Sequence, residues 1–212
     1  VKARNNLDCQ NCRNEFRLPQ EKGGRPGLVV RKIQDFSIFT KFRCYPPPSP
    51  GEAESDIDDF IHNDAVQHYK DKISVTYGFF SQLGPEPVAF ATLQNDAISI
   101  GPDFVPPKGY LYHQYPAVKI GRLGVRMDMR LKSGVNIPLQ NNRFGSYFLR
   151  YIKHFMSQEN NRTGCRYLTV NASKSDRIIK FYTRNGFAPL QKTPPEKESQ
   201  IVMYFDLDRI GL

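Results

Sequence analysis

A mixed α/β sheet with helices on its faces is the fold class that this 212-residue chain predicts. Three observations carry it. Strand-like runs alternate with runs of helical period along most of the chain. Turn residues punctuate them, as at Gly84-Pro85, Gly164 and Asn185-Gly186. The apolar share is 39%, enough for a sizeable core in one medium domain or one domain plus an arm.

The elements follow in order. Residues 1–27 read as an irregular, polar and basic arm ending in a glycine-rich stretch, and 28–212 as the folded domain. Leu28–Ile33 is a short strand, and Pro46–Pro50 is a break. Ser55-x-x-Asp58 resembles a capping box with Asp in place of Glu or Gln, and Ile57, Phe60, Ile61, Ala65 and His68 behind it share one helical face. His68 reads as a core-edge histidine. Ile73–Phe80 and Val88–Leu93, with Gly84-Pro85 between them, predict an antiparallel hairpin. Residues 101–115 read as a loop, Pro116–Val125 as a long strand, and 131–141 as a break at Ser133-Gly134 and Pro138. The strongest helical stripe follows: Phe144, Tyr147, Phe148, Tyr151, Ile152, Phe155 and Met156. Cys165–Val170 alternates as a strand. Ser173-x-x-Asp176 caps a short helix that Asn185-Gly186 closes, glycine suiting the left-handed position there. Phe187 onward and Ile201–Leu207 are the last strands.

Composition narrows the functional classes. No apolar run reaches the length of a membrane span, and no charged-then-apolar leader opens the sequence, so a cytoplasmic protein off the membrane is expected. The four cysteines are too few and too uneven for a disulfide scaffold. Cys9 and Cys12 form a C-x-x-C pair whose completers as a zinc site would be the isolated Cys44 and His62; free thiols and no metal are the expectation. The net charge is +9, and residues 1–44 hold ten Lys/Arg against four Asp/Glu, so +6 of it lies there. Such an arm attracts phosphate-rich partners, RNA or CoA, or is a solvated tail.

Four pieces then appear in one order: Gly121-Arg122-Leu123-Gly124-Val125, Gln140-Asn141-Asn142-Arg143-Phe144-Gly145, Leu168-Thr169-Val170-Asn171-Ala172, and Phe181-Tyr182-x-x-Asn185-Gly186-Phe187. This order resembles the GNAT superfamily of N-acetyltransferases, most clearly over 116–190. The run from Phe36 through the helix at 55–69 to Ala97 resembles its bacterial branch that includes aminoacyl-tRNA-acetylating toxins. The resemblance implies a three-layer α/β/α arrangement with a central, largely antiparallel, splayed sheet. It also implies an enzyme that moves an acetyl group from acetyl-CoA to a primary amine by direct attack. Small molecules, aminoacyl-tRNA and protein amines all remain open as acceptors, and monomer and homodimer both remain open as assemblies.

Elementary chemistry runs beside the resemblance. A pantetheine arm is a chain of amides, which the backbone edge around Leu123 and Val125 can hydrogen-bond as a further strand. Its N–H groups can also hold the oxyanion that develops on the thioester. A pyrophosphate wants convergent N–H donors, and the helix opening at Gln140, Asn142, Arg143, Gly145 and Ser146 offers them. Gly145 lets the backbone come close. The family pattern there is Q/R-x-x-G-x-G/A; Gln140 and Gly145 match it, Arg143 replaces the inner glycine, and 131–139 reads as an insertion. Asn171, at a strand end, is a pantetheine ligand or a turn residue. Tyr182 is assigned the acid that meets the departing thiolate. Asp96, His113 and water are the options for the base. The alternative from another class is a non-catalytic module of the same fold that binds nucleic acid or a protein.

Overall fold

The structure, a computed structural model, describes residues 16–17, 28–46, 55–81, 86–99, 101, 104, 112–130, 136–138, 144–157, 164–191 and 198–210. Phe16–Arg17 (β1), inside the segment read as irregular, pairs antiparallel with Leu28–Lys32 (β2). Asp56–Asp59 (α1) runs through a π-helical turn at Phe60–Asp64 into Ala65–Lys70 (α2). Val75–Ser81 (β3) and Pro87–Ser99 (β4) form the expected hairpin, but β4 continues well past Leu93 because Gln94–Ser99 stays paired with Gln114–Val125 (β5). Ile73 lies outside β3 and is exposed.

Asp128–Arg130 (β6) and Asn136–Pro138 (β7) form a separate two-stranded ladder, so part of the stretch read as a break and an insertion, 136–138, is strand. Pro138 ends its ladder opposite Asp128, a position where a missing N–H is tolerated. Phe144–Ser157 (α3) is the helix of the aromatic stripe. After it come Tyr167–Ser173 (β8), Asp176–Arg184 (α4), Ala188–Pro189 (β9) and Gln200–Asp206 (β10). The cap of α4 is Ser175, whose hydroxyl accepts the Ile178 N–H, rather than Ser173, which is held in β8 opposite Gln200.

Among the described residues the main sheet has eight strands in the order β1-β2-β3-β4-β5-β8-β10-β9. Every ladder is antiparallel except that of β5 with β8. Strand alternation sorts the side chains onto two faces. Leu93, Val118, Ile120, Leu168, Val170, Ala172 and Met203 join Tyr147, Phe148, Tyr151 and Ile152 of α3 in the larger core. On the opposite face Phe80 and Phe90 pack with Phe39, Phe42, Phe60, Ile61 and Ala65, under α1 and α2. A third cluster, Ile98, Tyr115, Ala117 and Tyr167 around Phe104, lies towards the other end of that face. Helices therefore lie on both faces of an open mixed sheet, as the sequence predicts.

Asp58 explains how α1 is tied down. Ser55 Oγ accepts the Asp58 N–H at 3.2 Å and donates to its carboxylate, while Asp58 accepts the N–H groups of Cys44 at 2.7 Å and Tyr45 at 3.1 Å. The buried carboxylate thus holds both its own cap hydroxyl and, across the fold, the backbone of a loop.

Candidate active site

The site begins where β5 and β8 part. Their ladder joins Ala117 to Tyr167, Val118 to Leu168 and Lys119 to Thr169, and no further pair follows among the described residues. Beyond this point β5 stays with β4 and β8 with β10, so the sheet opens as a fork. Gly121 is the extra residue of a bulge, since Thr92 faces Arg122 and Leu93 faces Ile120. A side chain there would come within 3.1 Å of Thr92 Oγ1, which instead accepts the Arg122 N–H at 2.8 Å. Arg126 likewise donates to the Val88 carbonyl. Both residues face β4, so the period of two turns the backbone of Leu123 and Val125 towards the fork. Val125 hydrogen-bonds the Cys44 thiol, and Met127 donates to the Arg43 carbonyl at 2.9 Å. The mouth end of this edge is therefore covered by the 43–44 segment, and Leu123 is the residue that looks into the fork.

Tyr182 is placed by the end of α4. Phe187 donates to the Tyr182 carbonyl at 3.1 Å and Gly186 to the Thr183 carbonyl at 2.9 Å, with Gly186 at φ +78°. These are the two bonds of a Schellman motif, and the ring contact of Phe187 with Tyr182, 5.5 Å between centroids, is its hydrophobic partner. The Phe181–Phe187 segment is thus a helix stop that fixes Tyr182 against the core. Tyr182 is 9% exposed, and burial pushes its hydroxyl up to about 12, so the phenol stays protonated across the neutral range.

The start of α3 lies against this helix end. Asn185 Nδ2 donates to Ser146 Oγ at 3.0 Å and to the Phe181 carbonyl at 2.8 Å. A side chain at Gly145 would stand 3.2 Å from the Phe181 ring, so helix-to-helix packing gives this glycine a structural reason. Lys153, two turns further along α3, donates from Nζ to the Asn185 carbonyl and lies over the Phe205 ring at 3.8 Å. Burial pulls its amine down to about 8. Gln140, Asn142 and Arg143 lie outside the described residues, as do Cys9 and Cys12.

Asn171 is exposed on β8, on the face away from α3. On that face too, Arg122 grips Asp56 with Nε at 3.1 Å and Nη2 at 3.1 Å, and its guanidinium lies over Phe60. The two distant residues weighed as zinc ligands have structural work. His62 Nε2 lies 2.9 Å from the Phe42 carbonyl, and Cys44 sits beneath Gly124, where burial holds its thiol protonated. Sequence reasoning missed the Ser146–Asn185 bond and the Asp58 tether. The pairing of Asn185 with Gly186 was the readable trace of the first, as a helix stop.

No protein-family model matches the chain, and no curated protein matches it in sequence. Solved structures do. A tyrosine-to-phenylalanine mutant of KacT superposes with a TM-score of 0.61 at 18% identity, covering 88% of this chain and 98% of that one. The fold is that of the GNAT acetyltransferases. AtaT complexed with acetyl-methionyl-tRNAfMet gives a TM-score of 0.60 at 18% identity, over 86% of this chain and 96% of its own. AtaTR bound with acetyl-CoA gives 0.59 at 20% identity, over 86% and 95%. The fork, the α3 start and the α4 stop are thus parts of a GNAT-fold scaffold. No helix of the described residues is long and apolar enough to cross a membrane.

Proposed function

We propose that this chain is an acetyl-CoA-dependent N-acetyltransferase that acts on a primary amine by direct attack, with a basic arm up to residue 27 and the catalytic domain from 28 on. The observation that carries this reading is the fork between β5 and β8, with the Leu123 backbone turned into it and a protonated Tyr182 held in the core that α3 covers. The pantetheine arm lies along the Leu123 edge as a short added strand. The first four N–H groups of a helix have no intrahelical partner, and α3 supplies them to the pyrophosphate together with Gln140, Asn142, Arg143, Gly145 and Ser146. Asn171 flanks the arm from β8. AtaTR bound with acetyl-CoA and AtaT complexed with acetyl-methionyl-tRNAfMet support this cofactor and put the α-amine of an aminoacyl-tRNA first among the acceptors to assay.

The chemistry follows from acidity. The neutral amine attacks the thioester carbon, the Leu123 N–H receives the oxyanion, the carbon–sulfur bond breaks to release a thiolate, and the proton shed by the new amide nitrogen passes to solvent water. An ordinary thiol titrates near 8.5, well below the roughly 12 of Tyr182. A complete proton transfer from the phenol would therefore run uphill, and Tyr182 acts chiefly by donating a hydrogen bond to the developing thiolate. Calorimetry with acetyl-CoA is the first test, and the absence of binding would refute the reading in favour of a non-catalytic module. Tyr182→Phe should lower kcat about 10²-fold or more while leaving the acetyl-CoA dissociation constant within twofold of the parent. Unchanged turnover would remove Tyr182 from the mechanism.

A further inference from the structure

Tyr182 serves the departing thiol, and the incoming amine needs a place of its own. The sheet face turned away from α3 and α4 offers one. Asp96 on β4 lies opposite Ala117 of β5, whose short side chain leaves the way clear, and the carboxylate crosses β5 to β8. There the Thr169 hydroxyl donates to Oδ2 at 2.5 Å, and Thr169 itself is 1% exposed. Lys119 Nζ stands 3.6 Å from the same oxygen, beyond hydrogen-bond reach. Oδ1 has no hydrogen-bond partner among the described residues, and the Asp96 side chain is 23% exposed. Because Lys119–Thr169 is the last rung before the strands part, this cluster lies at the closed end of the fork.

An arm that enters from the α3 end points its sulfur towards that closed end. Leu123 lies about 10 Å along β5 from Lys119, three strand steps once the bulge is allowed for. A hydrogen bond to the thioester oxygen, the carbonyl bond, the attack distance and an ammonium-to-carboxylate contact together reach a length of this order. We propose that Asp96 is the docking group for the acceptor's ammonium, with Thr169 holding the carboxylate in place and Lys119 standing where the acceptor's amine is received. This inference rests on the acetyltransferase reading above. It defines the acceptor class as primary amines that arrive positively charged and release one proton to solvent water before the nitrogen attacks, such as the α-amine of an aminoacyl group. It also puts amine entry and thiol departure on opposite faces of the sheet.

The test compares acetyl transfer to methionine amide, which is cationic at neutral pH, with transfer to hydroxylamine, which is neutral there. Asp96→Asn should raise the KM for methionine amide at least tenfold, more than it lowers kcat, and should move the KM for hydroxylamine far less. Lys119→Met removes the competing amine and should lower the KM for methionine amide at least threefold. A common loss towards both amines, or a Lys119→Met variant whose KM rises, would reduce the pair to a structural ion pair and overturn the proposal. Calorimetry separates the remaining cases. An Asp96→Asn variant that no longer binds acetyl-CoA overturns the docking role. A parent protein that binds no acetyl-CoA and acetylates neither amine overturns the acetyltransferase reading itself.

Discussion

Gly186 holds φ at +78°, and a side chain there would press within 3.2 Å of the Phe205 ring. Both the strained backbone and the contact count against any other residue, so Gly186→Ala should lower unfolding free energy by about 1–2 kcal/mol. Since Gly186 and Phe187 hold the backbone of Tyr182, the same variant should lose kcat while its acetyl-CoA affinity holds; urea melts and initial rates check both. Lys153 makes a second residue-scale case. Burial lowers its amine from the usual 10.5 to about 8, so the unfolded chain binds the extra proton between those values. The native state therefore carries a cost for charging Lys153 that is fully present below pH 8 and is relieved as pH rises to about 10.5. Urea unfolding from pH 7 to 10.5 should show parent stability rising relative to Lys153→Met, and a flat difference would place the amine in a more solvated setting. Gly186 was readable from the sequence because Asn-Gly after an amphipathic run marks a helix stop. Lys153 was not, because its partners, Asn185 and Phe205, are brought to it only by the packing of α3 against α4 and β10.

Single elements are joined to the site by few bonds. Ser146–Asn185 is a side-chain hydrogen bond between the start of α3 and the end of α4. A double-mutant cycle on Ser146→Ala and Asn185→Ala should give a coupling of about 1 kcal/mol in stability, with a parallel coupling in kcat if the bond sets the distance between the cofactor's phosphate end and Tyr182. Asp58 ties α1 to the 43–45 loop, and its removal leaves the N–H groups of Cys44 and Tyr45 without their acceptor. Asp58→Ala should cost about 3 kcal/mol, measured by chemical denaturation. The helix behind Ser55 could be read from its apolar face, and so could the β3–β4 hairpin from its turn. The buried course of Asp58 could not, because a capping box and a long-range tether use the same residue at the same spacing. The β6–β7 ladder escaped for a related reason: three-residue strands are too short for a period of two to stand out from a loop.

At the scale of the whole molecule, the order of strands and helices was legible, whereas the fork was not. Pro116–Val125 reads as a strand, but the place where β5 leaves β8 depends on pairings between segments some fifty residues apart. Only half of the expected Leu123–Val125 edge looks into the fork, because a loop the sequence leaves undefined, at Arg43 and Cys44, covers the rest. If acetyl-CoA lies along Leu123, its binding at a hundredfold excess over the dissociation constant adds about 2.7 kcal/mol. For a domain of this size that raises Tm by roughly 5–10 °C. Amide exchange at Leu123 should slow more than at Arg122, whose N–H already has a partner in Thr92. Equal protection at the two would argue for a different binding path. The fork has a cost as well. Two strand edges held apart in the middle of a sheet invite any extended peptide of matching length, including the β-strand of a neighbouring molecule. A ligand that fills the fork closes those edges, so on the acetyl-CoA reading proposed above the cofactor would guard the protein against self-association as well as serve its turnover.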